Sequence, residues 1–427
     1  SDVYKRQILK QTDCESIAAD LSQIGYGTHV VHNNTATFYS RNNAFSMMGF
    51  DTFTSKECMN ISQYTPNGNW PTDDVLVQET VKAMNATENQ SDFVYTITVE
   101  GHGDYPTEKV LENPDILVSG AADEASNNQW EYYVNMIHEV DDFIGDLITA
   151  VDRRGEDTII VFFGDHLPTM GLTDADMKSG DIFKTKYITW NNMGLAKKDA
   201  DLTAYQLLAH ITDQAGIHEG TMFRYHQTQT ASETYLSGLE DLQYDLLYGK
   251  RYTYGGEDRY PASDLVMDVE DVTVSSVRKN TSNNTLTVYG ANFTKNTKIF
   301  VNGNKVPTTF LTSNLITTSL DNVQNGDTIT VNILGSKSLL LRAGTGEVVY
   351  EDPDIVPETE DPTEIPETSA TEMKNTETEN SEMKSSETES SEMKNTETES
   401  SETGSSETTS KADSSAVTSQ AASDSNN

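Results

Sequence analysis

Residues 159–168, IIVFFGDHLP, constrain the fold of this chain most. Five apolar residues, mostly β-branched or aromatic, read as a short buried strand. The approach to it is helical. Tyr133, Met136, Ile137, Val140, Ile144, Leu147, Ile148 and Val151 recur at spacings of three and four, which places them on one face. A long amphipathic helix running into a buried strand is an α/β pattern. Gly164 ends the strand, and Asp165 and His166 stand at its C-terminal mouth. Ligands bind at that mouth in open α/β sheets. A carboxylate beside an imidazole offers a hard oxygen and a nitrogen to a divalent metal. The plainer reading is a polar turn after a core strand.

The same alternation extends over residues 8–260. Helical patterns cover 14–24, 73–85 and 204–211, and strand patterns cover 28–31, 93–99 and 186–190. The expected fold is α/β, with a mixed, mostly parallel sheet flanked by helices. Residues 265–350 change character. VTVSSV, TLTVYG, KIFVNG, LITTSL and TITVNI alternate apolar with polar residues and are separated by Asn-Gly and Gly-Asp pairs. Short, evenly spaced strands of this kind predict a small β-sandwich. The run TLTVYGANFTKNTKIFVNGNKVPTTFLTSNLITTSL resembles an IPT/TIG immunoglobulin-like module, which in that family serves as a spacer or a binding domain.

Residues 351–427 hold 21 Asp/Glu against 4 Lys/Arg and no aromatic residue. TEMKNTETEN, SEMKSSETES and SEMKNTETES repeat there with a ten-residue period, and SETGSSETTS is a decayed copy. Such a composition cannot bury enough apolar surface to offset ordering entropy. A disordered, charge-extended stalk is expected, of the kind that suits a cell-surface protein. The formal charge of −39 leaves −22 on the rest of the chain once the tail's −17 is removed. That balance excludes nucleic acid as a partner. Cys14 and Cys58 allow one bridge or two small buried residues. No run reaches the ~18–20 apolar residues that span a bilayer. Residues 2–7, DVYKRQ, are what GAT-GTG-TAT-AAG-AGA-CAG encodes, a transposase adapter used in DNA library preparation. Residues 1–7 are therefore excluded from fold reasoning. The native protein is expected to begin upstream of Ile8.

Two further segments join Asp165 and His166. In HVVHNNTATFYSRNNAFSMMGFDTF, residues 29–53, a strand runs into a loop rich in Asn, Thr, Tyr and Arg. Arg41 supplies a planar fork suited to phosphate, and Tyr39 can place its ring and hydroxyl alongside. The bland alternative is a solvated loop. In FVYTITVEGHGDYP, residues 93–106, a strand leads to Glu100-Gly101-His102-Gly103. The flanking glycines allow close backbone approach to a ligand. A lone histidine is more often structural than catalytic. Three polar clusters, each following a strand, are expected to meet, because a parallel sheet gathers its strand ends.

The stretch from about Ile8 to Gln227 resembles the C-terminal part of the extracellular domain of lipoteichoic acid synthases, within the sulfatase/alkaline-phosphatase-like superfamily. The stretches GYGTHVVHNNTATFYSRNNAFSMMGFDTF, TVEGHGDYP, YYVNMIHEVDDFIGDLITAVD and TIIVFFGDHLP carry the resemblance. It implies that Asp165 and His166 are two ligands of one divalent metal, Mn2+ or Mg2+. His102 would hold the phosphoglycerol group as the catalytic histidine, and Arg41 would contact it. Tyr39 stands where a tryptophan is common, His32 matches a loop histidine, and Asn34 replaces a substrate-contacting aspartate.

The threonine nucleophile and a glutamate ligand of that family would lie upstream of Ile8, preceded by membrane helices. The resemblance thus implies an N-terminally truncated catalytic domain, inactive by itself. The whole protein would face outward from the membrane of a Gram-positive bacterium. Its chemistry would be a double displacement. Phosphatidylglycerol, an anionic phospholipid, gives up diacylglycerol to leave a glycerophosphoryl-threonine. A glycerophosphate polymer or cell-envelope glycan then accepts the group. The rivals are a sulfate or phosphate ester hydrolase, a phosphoethanolamine transferase, and a non-catalytic surface binding protein.

Overall fold

The computed structural model describes residues 14–87 and 89–354. The adapter-like residues and the ten-residue repeats lie outside the described residues.

Helix α1 (Ile17–Gln23) is shorter than its pattern, because Ser16 caps it by accepting the Ala19 N–H at 3.2 Å. Strand β1 (Gly27–His32) follows and is buried at every position. The segment after it was expected as loop but is helical at α2 (Arg41–Met47), followed by β2 (Thr52–Ser55). Packing explains the difference. Ala44 and Phe45 are buried, and the Phe45 ring meets Phe50 and Phe53 edge-on at 5.7 and 5.0 Å. That burial outweighs the weak helix propensity of Asn and Ser. Next come α3 (Val75–Met84), β3 (Asp92–Ile97) and the long α4 (Glu124–Asp152). Asp123 caps α4 by accepting the Ser126 N–H at 2.7 Å. Strand β4 (Ile159–Phe163) has the bounds its sequence predicts, and β5 is Tyr187–Asn191. Helices α5 (Ala204–Gln214), α6 (Thr221–Gln229) and α7 (Tyr235–Leu247) lead to a short β6 (Val266–Met267).

The order β3-β1-β2-β6 makes a four-stranded sheet in which every pairing is parallel. The register sets Gly27 opposite Asp92 and His32 opposite Ile97. Strand β4 does not hydrogen-bond to this sheet. It pairs antiparallel with β5, Ile159 opposite Asn191 and Phe163 opposite Tyr187. The helical cover joins the two ladders. Val94 of β3, Ile160 and Phe162 of β4 and Trp190 of β5 pack on Val31, Leu76, Phe143, Leu147 and Val151. The mouths of β3 and β4 are thus neighbours without a shared backbone ladder.

From Thr273 onward the chain is all β. Its strands are β7 (Thr273–Asn280), β8 (Thr285–Ala291), β9 (Thr297–Val301), β10 (Asn304–Lys305), β11 (Thr309–Thr312), β12 (Leu315–Ser319), β13 (Thr328–Leu334), β14 (Leu340–Ala343) and β15 (Val348–Val349). One sheet runs β11-β12-β8-β7, the other β10-β9-β13-β14 with β15 on β13. Leu286 and Val288, Ile299 and Val301, and Ile329, Val331 and Ile333 alternate inward. This is the period of two that the sequence shows. The sandwich core is continuous with Phe45, Phe50 and Phe53. Polar contacts close the junction. Thr294 Oγ1 donates to Glu57 O at 2.7 Å, Asn60 Nδ2 to Phe293 O at 3.0 Å, and Arg342 to Asp268 O at 2.7 Å. Cys58 is a buried free thiol, and Cys14 is half-buried. No described helix is long and apolar enough to cross a membrane.

Candidate functional site

His32 closes β1 and is 2 % exposed. Its Nδ1 lies 2.8 Å from Ile97 O. A carbonyl only accepts, so the proton sits on Nδ1 and the ring ties the end of β1 to the end of β3. Asn34 turns back on its own loop, its Oδ1 accepting the Thr35 N–H at 2.7 Å. Tyr39 and Ser40 both have φ near +54°. Left-handed backbone at two non-glycine residues costs about 1–2 kcal/mol each. The outcome is an exposed Tyr39 ring, 4.3 Å from that of Phe38. Arg41, which opens α2, is buried. It donates to Thr35 O at 3.1 Å and sets its guanidinium carbon 5.2 Å over the Phe38 ring. The fork is fixed from both sides.

His102 lies beyond β3, in a turn closed by its N–H to Val99 O at 3.0 Å. Its exposed ring meets the Trp70 ring edge-on at 5.0 Å. Trp70 Nε1 donates to Gly103 O at 2.8 Å. The glycines beside His102 serve packing more than ligand approach. A Cβ on Gly101 would come within 3.0 Å of Ile137 Cδ1 on α4, and one on Gly103 would be in ordinary contact with Thr169.

Asp165 and His166 follow β4, both exposed. Leu167 O takes the His166 Nδ1 proton at 2.9 Å. That leaves the Nε2 lone pair 3.7 Å from Asp165 Oδ1. The His166 and His102 ring centroids are 6.2 Å apart at 81°. Burial, and then the Asp165 charge, push up the pKa of Tyr95 on β3. The structure therefore gathers His102, Asp165 and His166 at the adjoining mouths of β3 and β4. His32 ends β1, the strand that pairs with β3, and Asn34, Tyr39 and Arg41 lie in the segment that leads from it into α2.

The donor pair fits two positions of a divalent-metal shell. Among the described residues no group of three or more His, Cys, Asp or Glu side chains is set to hold an ion. A closed site needs more ligands than this.

Three residues with no role assigned from sequence organise the site. Buried Asp73 accepts the Val99 N–H at 2.9 Å, Asn33 Nδ2 at 2.8 Å and the Glu100 N–H at 3.1 Å. Buried Glu100 returns the contact, accepting the Asp73 N–H at 2.8 Å. Burial pushes the Asp73 carboxyl up to about 6 and the Glu100 carboxyl up to about 8, against hydrogen bonds that favour the ionised forms. The two carboxyls clamp the backbone that carries His102, and Trp70 covers its ring. The one signal in sequence was two acidic residues just before the apolar run of α3.

A Rhizobium meliloti (strain 1021) protein assigned to cyclic beta-1,2-glucan modification is 25% identical over 280 residues, covering 56% of this chain and 43% of that protein. The chain thus spans less than half the length of this curated relative. Streptococcus pyogenes phosphoglycerol transferase GacH, solved with sn-glycerol-1-phosphate, aligns at 17% identity and TM-score 0.44, covering 54% of this chain and 64% of that one. Lipoteichoic acid synthase LtaP from Listeria monocytogenes aligns at 20% identity and TM-score 0.34, covering 42% and 46%. The IPT/TIG domain model matches residues 272–345. The Sulfatase family model matches residues 1–235, more than half of the chain, and the protein belongs to the sulfatase family.

Proposed function

We propose that the protein is the outward-facing part of a cell-envelope phosphoglycerol transferase, acting on an anionic phospholipid headgroup. The observation that supports this most is the meeting of His102, Asp165 and His166, with the fixed Arg41 fork in the segment that follows the neighbouring strand β1. Two functions are needed for phosphoryl transfer, a charge clamp and a donor to the phosphoryl oxygens. Asp165 Oδ1 and His166 Nε2 would hold a divalent ion, Mn2+ or Mg2+. Bound there, the ion supplies Lewis-acid stabilisation of phosphoryl charge. His102 donates a hydrogen bond to the phosphoglycerol group, steadied by Trp70 and by the Asp73–Glu100 clamp. Arg41 neutralises a second oxygen, and Tyr39 walls the glycerol. His32 braces the loop, and Asn34 offers hydrogen bonding without charge. The threonine nucleophile and the remaining metal ligand would come from a segment preceding Ile8, so residues 1–427 alone would not turn over. The rhizobial relative's assignment to glucan modification supports a glycan, or a glycerophosphate polymer built on one, as acceptor. Attachment to a Gram-positive membrane belongs to the same reading.

The test is paramagnetic. Mn2+ titrated into 13C-histidine-labelled protein should broaden the His166 and His102 ring signals first. Asp165→Asn should shift that broadening to at least tenfold higher Mn2+, the loss of one charged ligand. Adding sn-glycerol-1-phosphate should then perturb His102, and Arg41→Ala should abolish the perturbation. Broadening centred on other histidines, or a response to O-sulfates or phosphoethanolamine in place of glycerol phosphate, would overturn the reading.

A further inference from the structure

The IPT/TIG domain meets the candidate site through one turn. Ser336 Oγ lies 3.0 Å from Thr37 Oγ1, in the loop that carries Tyr39 and Arg41. Strained backbone lies close to each partner of this contact. Lys337 and Ser338, just after Ser336, have φ of 54° and 60°, and Tyr39 and Ser40, just after Thr37, have φ of 54°. Left-handed backbone at non-glycine residues persists where surrounding structure enforces it, and it clusters at functional sites.

From that turn a row of cations leads away across the domain edge. Lys337 is exposed at its tip. Lys305 Nζ donates to Ser338 Oγ at 2.7 Å. Lys305 pairs across the ladder with Phe300, two residues from Lys298, so Lys298 and Lys305 share a face. Lys298 Nζ donates to Lys295 O at 2.7 Å, and Lys295 Nζ reaches Ile61 O at 3.4 Å. Among the described residues none of these four lysines has a carboxylate within ion-pair distance. Acids outnumber bases 68 to 29 in the whole chain, so four lysines along one edge make a local cationic stretch on an acidic protein. Burial first, and the Lys305 charge second, hold the Lys298 ammonium below its ordinary value. Like charges have been placed side by side and left uncompensated.

We infer that this edge is a binding track for a phosphate-bearing polyanion, the acceptor polymer, which it guides along Lys295, Lys298, Lys305 and Lys337 toward the Tyr39–Arg41 loop. The inference deepens the phosphoglycerol-transferase reading and rests on it for the identity of the polymer. It gives the IPT/TIG domain a part in the reaction beyond that of a spacer. A row of ammonium groups suits this ligand. Each lysine is a point charge with three rotatable donors, able to follow a flexible chain of phosphates without fixed geometry. Lysines held apart from carboxylates keep their charge for an incoming anion. At physiological salt the acidic remainder of the protein is screened beyond about 8 Å, so the local patch decides the encounter.

The test uses the full chain and a fluorescein-labelled oligomer of glycerol phosphate, about ten units long, read by anisotropy at low salt. The triple variant Lys298→Gln, Lys305→Gln, Lys337→Gln should bind it about tenfold more weakly and with a shallower salt dependence. Its binding of monomeric sn-glycerol-1-phosphate should stay within twofold of the parent. The matching triple Lys→Arg variant should retain oligomer binding, which separates charge from any effect on folding. Arg41→Ala should weaken monomer and oligomer alike. Equal oligomer binding by the Lys→Gln triple and the parent would overturn the track, as would no oligomer binding by the parent. So would equal binding of a neutral glucan of the same length, or lysine-dependent binding of phosphatidylglycerol vesicles in preference to the oligomer. Lysine-dependent oligomer binding with no response to Arg41→Ala would keep the track and reject the phosphoglycerol site.

Discussion

The ring of His102 stands 5.0 Å from that of Trp70, edge to face, while the Trp70 indole N–H holds the carbonyl of Gly103 at 2.8 Å. One side chain thus fixes both the ring and the backbone of the candidate phosphate-binding turn. Trp70→Phe should keep the ring contact and lose the hydrogen bond. Trp70→Ala should lose both. The hydrogen bond contributes about 0.5–1.5 kcal/mol and the aromatic pair a similar amount. The alanine variant should therefore bind sn-glycerol-1-phosphate at least tenfold more weakly, with the phenylalanine variant between it and the parent. Calorimetry on the three proteins gives the order. A reversed order would show that Trp70 only fills space.

Buried carboxyls give stability a defined pH dependence. Asp20 is 2 % exposed, and both its oxygens lack a hydrogen-bond partner. Burial, and then the Glu15 charge, push its carboxyl up to about 8 from an ordinary 3.8. Glu100 behaves alike, also rising to about 8. A carboxyl whose folded pKa is raised binds more protons folded than unfolded across that interval. Its favourable contribution is complete below the unfolded value and is lost as pH rises through the folded one. Stability should therefore fall steadily from pH 4 to pH 8. Asp20→Asn should raise Tm at pH 8 by several degrees, change it little at pH 4, and flatten the slope between. A Tm that climbs from pH 4 to pH 8 in the parent would contradict this.

Much of this architecture was legible in sequence, for local reasons. β4 matched to the residue because five consecutive apolar side chains need burial whatever surrounds them. His102 meets Asp165 and His166 as expected, but not through a shared parallel sheet: β4 lies outside it, and packing on the helical cover brings the two strand ends together. Helix α2 was hidden because Asn, Ser and Arg dominate it, and only contacts of Phe45 with Phe50 and Phe53 select the helix. The separate β4–β5 ladder was hidden too, since strand pairing is set by distant partners that no local pattern encodes. Trp70, Asp73 and Glu100 act through contacts across 26 to 33 residues of chain, beyond the reach of motif spacing.

The shared core predicts joint unfolding. Phe53 is fully buried in a cluster that runs from Phe45 into Val288 and Ile329 of the sandwich. Phe53→Ala should cost about 3–5 kcal/mol. Tryptophan fluorescence reports the α/β part, because Trp70, Trp130 and Trp190 all lie there. Backbone circular dichroism reports both parts. The two transitions should coincide in the parent and stay coincident, at lower denaturant, in the variant. A sandwich transition left unmoved by Phe53→Ala would mean that the two parts fold independently.

The last described residues set where the acidic tail can be cut. Lys279 Nζ is 2.8 Å from Asp352 Oδ1 and 2.9 Å from Asp354 Oδ2. These hydrogen bonds hold the Lys279 ammonium above its ordinary range and the Asp352 carboxyl below its own. The Asp352 N–H also donates to Asn325 Oδ1 at 2.7 Å. The folded part therefore includes Asp352 and Asp354. A chain ending there keeps each of these contacts, whereas one ending at Val349 loses them all, along with the buried Tyr350. Removing 355–427 should leave Tm within about two degrees, because Ser, Thr and Glu without aromatics have little to pack. Cutting after Val349 should lower it clearly by the same measurement. A substantial loss of Tm on removing 355–427 alone would show that the repeats dock on the folded part.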